Sequence, residues 1–109
     1  MHDTSELTAA VERFADRLRS APQSRLRNGA AAEGLALARE LAVRAQRAED
    51  PAREPRIMPD AGLFVVGDQL AVAGNDLAEV LRTAPAGSRE GELDEAVRLV
   101  REAMERAGL

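Results

Sequence analysis

Hydrophobic positions in the first part of the chain repeat with the period of a helix. Leu7, Ala10, Val11, Phe14, Ala15 and Leu18 fall at i, i+3, i+4, i+7, i+8 and i+11, which gathers them on one face. Asp3 or Thr4 stands where an N-cap belongs, and Asp3-x-x-Glu6 has capping-box spacing. Pro22 stops the helix, because it disfavours helical geometry at Ala21. A second periodic segment starts at Ser24 or Asn28 and runs to Ala48. Its apolar face is Ala31, Gly34, Leu35, Ala38, Leu41, Ala42 and Ala45, widened by Leu37 and Val43. The small residues on that face let another backbone approach. Gly34 lowers helix propensity by ~1 kcal/mol relative to alanine, which fits either close packing or tolerated drift.

The periodicity then breaks. Residues 49–62 contain Pro51, Pro55 and Pro59, which forbid regular helix. This connection is expected to run extended over the surface, with Ile57 and Met58 pinned to the core. Residues 63–73 read as a β-hairpin, LFVV and QLAVA flanking Gly67-Asp68. Glycine at the first loop position suits a type II′ turn, and the register sets Val66 against Gln69 and Phe64 against Ala71. The competing reading is one helix from Leu63 to Leu81. Gly62, Gly67, Gly74 and the β-branched run favour the hairpin. A third helix is expected over 75–84, with Asp76-x-x-Glu79 as a capping box. A fourth is expected over 88–107, capped by Ser88 and ended by Gly108.

The expected fold is therefore one small domain over 1–109, mainly α (α+β), in the order α-α-β-β-α-α. A helical hairpin at 4–48 leads through the proline-rich connection 49–62 to the β-hairpin 63–73 and two closing helices. Twenty-two residues are alanine and only Phe14 and Phe64 are aromatic. A buried Leu, Val or Phe contributes ~1.5–3 kcal/mol and alanine much less, so a core shared in a homodimer is expected. The expected association surface is Leu63, Phe64, Val65, Leu70 and Val72 on the hairpin, with Gly34 and Ala38 on the second helix.

Candidate chemistry is narrow. The chain has no lysine, tyrosine, tryptophan or cysteine, and its one histidine is His2. That removes thiolate, phenol, Schiff-base amine and any imidazole within a folded segment. Zinc-type ligation needs several Cys or His. The acids Glu90, Glu92, Asp94 and Glu95 lack EF-hand spacing and complement the start of a helix dipole. No phosphate-loop, dinucleotide or nucleophile-elbow motif is present. No catalytic residue, cofactor or metal site is expected.

Charge adds one positive signal. The net charge is −4, yet Arg13, Arg17, Arg19, Arg25 and Arg27 face only Asp16 between positions 13 and 27. Arg17, Arg19, Arg25 and Arg27 bracket the first turn, near a helix start that would suit an anion or an acidic partner. A dedicated non-specific DNA binder is normally basic overall, and a helix-turn-helix would need a polar recognition helix. No apolar run is long enough to span a membrane and the first residues do not resemble a secretory signal. The reading is a non-enzymatic, cytoplasmic interaction or regulatory protein, homodimeric and with a possible protein partner. The alternatives are a nucleic-acid-associated regulator using the arginine patch, and a small-ligand or carboxylate/arginine enzyme module.

Overall fold

The computed structural model describes residues 3–85 and 89–109, and these form an all-helical bundle. Four long helices carry the core: α1 (Ser5–Ser20), α2 (Ala31–Glu49), α3 (Val66–Thr83) and α4 (Glu90–Ala107). The β-hairpin expected at 63–73 is absent. Leu63–Val65 make a single 3-10 turn, and the chain then enters α3 directly. Helical period explains why. Val66, Leu70, Ala73, Leu77 and Leu81 recur at four- and three-residue steps, and all five are buried. A two-residue period would instead have faced half of them to water.

The glycines that favoured a hairpin serve as close contacts between helices. A Cβ on Gly74 would lie 2.5 Å from a Val11 methyl, and one on Gly67 would lie 3.0 Å from the Ala15 carbonyl oxygen. α1 thus comes close to the α3 backbone at two points seven residues apart, through its own backbone at Gly67 and through the Val11 side chain at Gly74. Gly34 belongs to the same device, since a Cβ there would lie 2.8 Å from Leu18 and from Val66. Its place is close packing, the first of the two readings above.

α3 and α4 each pack against both α1 and α2, whereas α1 and α2 touch little. The order around the bundle is α1, α3, α2, α4. Side-chain pairs set the directions. Glu6–Arg101 and Arg17–Leu109 make α1 and α4 parallel, and Glu33–Arg106 and Arg44–Glu95 make α2 and α4 antiparallel. Val11 against Gly74 and Ala15 against Gly67 make α1 and α3 antiparallel, so α2 and α3 run the same way.

Parallel neighbours need a connection that returns along their length. Residues 50–62 are that return. α2 has 19 residues, ~28 Å at the helical rise, and an extended strap of this length covers that distance. The strap is tied down by polar side chains. Gln46 Nε2 donates to the Arg56 carbonyl at 2.9 Å and Gln46 Oε1 accepts the Arg56 N–H at 2.8 Å. Arg39 Nε donates to Met58 O at 2.8 Å, and Gln69 Nε2 to Pro59 O at 3.0 Å. Met58 packs on the core as expected, but Ile57 does not: it stands 65% exposed. Adjacent residues of an extended strap point to opposite sides, so only one of the two can face inward.

The helix ends differ in part from expectation. Thr4 caps α1 by position, with no side-chain cap bond, and Asp3 accepts the Ser5 N–H at 2.9 Å. Hydrogen bonds from the Ser5 side chain and then from its backbone N–H hold the Asp3 carboxyl below its ordinary pKa. Pro22 does end α1, and a single turn at Gln23–Arg25 follows. The chain then kinks at Gly29, φ 125°, before α2. Asp76 and Glu79 lie within α3 and cap nothing. Gly108 ends α4 in the left-handed region at φ 71°. Ala86, Gly87 and the expected cap Ser88 fall outside the described residues.

The exposed face of α3 and the strap

Ile57, Phe64, Val65 and Val72 are the large hydrophobic residues left exposed among the described residues, at 65, 71, 36 and 59%. All four fall on the strap and the start of α3. Val65 and Val72 are seven residues apart, two turns along one side of the helix, opposite the buried face. Phe64 immediately precedes them. Ile57 borders a groove of about 520 Å³ between strap and helices, where Ala42, Ala45, Met58 and Pro59 meet the polar side chains of Gln46, Glu49, Arg56 and Asp76. The core does not need these side chains. Leu7, Phe14, Leu41, Leu70, Leu77 and Leu81 are already closed off from solvent.

Carboxylates flank the apolar residues. Asp68 and Asp76 stand one turn on either side of Val72, and Glu79 stands two turns beyond it. Asp68 receives Arg19 Nε at 2.9 Å, and Glu79 pairs with Arg82. Asp76 is exposed and makes no hydrogen bond or ion pair with any described residue. Asp60, on the strap, accepts the Gly62 N–H at 3.0 Å, which shapes the turn into α3.

Of the expected association residues, the structure brings Phe64, Val65 and Val72 to the surface. Leu63 is half-buried, and Leu70, Gly34 and Ala38 lie inside the single chain. Ile57 and Asp76 were missed by the sequence reading, the first because it was assigned to the core and the second because it was assigned to a cap. The signal for Asp76 was present: it lies four residues after Val72 and three before Glu79, on the outer side of a helix.

The arginine patch is largely occupied by internal contacts. Arg17 Nη1 donates to Leu109 O at 2.6 Å and Arg25 Nη2 to Gly108 O at 2.9 Å. Two cations thus sit on carbonyls just past the C-terminal end of α4, beside the negative end of its dipole. Arg19 pairs with Asp68 and Asp16, and these bonds, the Asp68 bond foremost, raise its pKa further. Arg27 alone of the four has no such partner among the described residues. It borders a cleft of about 270 Å³ with Leu26, Leu35, Arg39, Asp60, Leu63 and Val66.

In the remaining clusters most charges are paired within the chain. Arg44, Arg47 and Arg89 share a cleft of about 420 Å³ with Glu40 and Glu92. Arg98 bonds Glu95 and Glu102 on α4, which holds the Glu95 carboxyl below its ordinary value. Among the described residues no group of three or more His, Asp or Glu gathers as a metal site, and no helix is long and apolar enough to cross a membrane. Comparison with known proteins finds no matching family model, curated protein or solved structure.

Proposed function

We propose that the chain is a non-enzymatic interaction module that docks another protein on the outer face of α3 and the adjoining strap. One observation carries this reading. Among the described residues the exposed large hydrophobics are confined to positions 57–72, while the core beneath them is complete. Single exposed aliphatics are ordinary, but a local concentration on a small Ala-rich protein marks an association surface. The face has no buried nucleophile, no convergent polar pocket and no shifted acid–base pair, which gives an enzymatic reading little support. A nucleic-acid reading also draws little support, because Arg17, Arg19 and Arg25 already bind partners within the chain. A second copy of the chain, the homodimer expected from composition, is one occupant such a face could take.

The test is photo-crosslinking in the native host. A benzophenone residue placed at position 72 is expected to form a protein adduct. The same residue at position 105, exposed on α4, is expected to form none. A folded protein that crosslinks to nothing at position 72 overturns the proposal.

A further inference from the structure

We infer that the cleft beside Arg27 binds a small organic carboxylate with an apolar body, at a site separate from the docking face. Arg27 and Arg39 hold the acid group. The apolar body lies against Leu26, Leu35, Leu63 and Val66.

The cleft is assembled from three parts of the chain. Leu26 and Arg27 come from the turn before the Gly29 kink, and α2 supplies one wall from Ala31 to Arg39. The end of the strap and the start of α3 supply the other, from Asp60 to Val66. Leu26, Leu35 and Val66 are buried and form its floor. The opening above them exists because the exposed positions around it are small, at Ala32, Ala36 and Gly62.

Charge selects the ligand class. Arg39 is half-buried, and its Nε donates to the Met58 carbonyl at 2.8 Å, which fixes the guanidinium beside the cleft. Its two Nη groups make no hydrogen bond with a described residue. Arg27 makes neither a hydrogen bond nor an ion pair with a described residue. The one carboxylate in the lining is Asp60, whose Oδ1 accepts the Gly62 N–H at 3.0 Å. No ion pair joins Asp60 to either arginine among the described residues. Two guanidinium groups against one carboxylate leave the cleft with a formal charge of +1. Both keep N–H donors for a further anion, and a guanidinium takes a carboxylate through paired N–H bonds. Arg17, Arg19 and Arg25 differ, since each is already bonded within the chain.

The apolar floor separates this ligand from an inorganic anion. The cleft at Arg44, Arg47 and Arg89 also has more arginines than acids, but Glu40 and Glu92 pair with two of them. Its apolar lining is only Ala48 and Pro51. Size sets the last limit. The cleft beside Arg27 measures about 270 Å³, and at ~30 Å³ for each water-sized group it holds roughly nine non-hydrogen atoms. That is a metabolite-sized acid rather than a peptide or a nucleic acid.

The experiment titrates the full chain with hexanoate and follows its amide NMR signals. Saturable binding in the millimolar range or tighter is expected, with shifts centred on residues 26–39 and 60–66. Hexanamide, of the same shape without charge, should bind at least about tenfold more weakly, as should inorganic phosphate. Arg27→Gln should weaken hexanoate by about tenfold. Ala36→Leu should abolish binding by filling the cleft. Both positions are exposed, so neither change should move the circular dichroism melt. Ala32→Leu repeats the steric test if Ala36→Leu does move it. Equal binding of hexanamide overturns the carboxylate assignment, and equal binding of phosphate overturns the apolar one. Unchanged affinity in the leucine variants puts the ligand elsewhere and overturns the site. Shifts that fail to saturate by ~50 mM hexanoate overturn the proposal as a whole.

Discussion

The inner and outer faces of α3 both carry large apolar residues, and they differ in what covers them. The inner face sets Gly67, Ala73, Gly74 and Ala78 among Val66, Leu70, Leu77 and Leu81, and it is buried. The outer face carries Val65 and Val72, with Phe64 at the helix start, and it is wet. Side-chain size did not decide which face went inside. At Gly67 and Gly74, where α1 comes closest, only residues without bulk fit. Outside, nothing in this chain covers the large residues. Apolar bulk in that position is a signal of recognition rather than of folding.

Substitutions on the two faces should therefore differ in size and in kind. The largest effect belongs to the inner face. Leu70 is fully buried, and Leu70→Ala is expected to cost ~2–5 kcal/mol in urea unfolding. A cost below ~1 kcal/mol would mean that the inner face is not the core.

The next effect sharpens the glycine argument. Gly74→Ala gains ~1 kcal/mol of helix propensity, but its methyl would meet Val11, a β-branched side chain 1% exposed. Overpacking of ~1–3 kcal/mol should outweigh the gain. Gly91→Ala is the control: nothing lies within 4 Å of its Cβ position, and stability should rise by up to ~1 kcal/mol. In the double variant with Val11→Ala, the Gly74→Ala penalty should shrink, with a coupling energy of ~0.5–3 kcal/mol. If both glycine substitutions stabilise equally, the close approach of α1 and α3 is wrong.

A smaller effect separates exposed residues that bind inward from exposed residues that do not. Arg17→Ala and Arg25→Ala remove cations from the Leu109 and Gly108 carbonyls just past the end of α4, at ~0.3–1 kcal/mol each. Amide exchange near residues 105–109 should quicken. Unchanged exchange would return these arginines to the pool of free surface charge.

The outer face should be nearly silent in stability. Val72→Ser, at a position 59% exposed, is expected to move the unfolding free energy by no more than ~0.5 kcal/mol. The same change should weaken partner binding at this face. A large stability loss would make Val72 part of the core and erase the contrast between the faces.

The smallest effect is electrostatic. The Arg98 hydrogen bond lowers the Glu95 pKa in the folded chain. Such a carboxylate contributes stability above its unfolded-state value. That contribution is lost as pH falls through the folded value. Both side chains are open to solvent, so salt should screen the effect. Comparing the native chain with Glu95→Gln from neutral to acid pH should show a small gap that closes at low pH. A gap that widens would reverse the sign of the assignment.

Much of the bundle was legible in the chain. The face of α1 and its stop at Pro22, the apolar side of α2, the irregular strap and the Gly108 end of α4 all follow from period and from backbone limits on proline and glycine. The segment 63–73 was not, because glycine has two opposite uses. It breaks a helix exposed to water, and it permits a helix pressed against a neighbour. Gly67 and Gly74 look the same in both cases until Val11 and Ala15 are in place. The arginine patch shows the same ambiguity. Its density was plain, but whether Arg17 and Arg25 faced solvent depended on where Gly108 and Leu109 came to rest, more than eighty residues away. Outside residues 63–73, the sequence by itself determined which stretches become helices and where most of them stop, because those choices depend on neighbours within a few residues. Tertiary structure alone decided which small residues are contacts, which charges are already neutralised and which hydrophobics remain open, because each of those depends on surfaces brought together from distant parts of the chain.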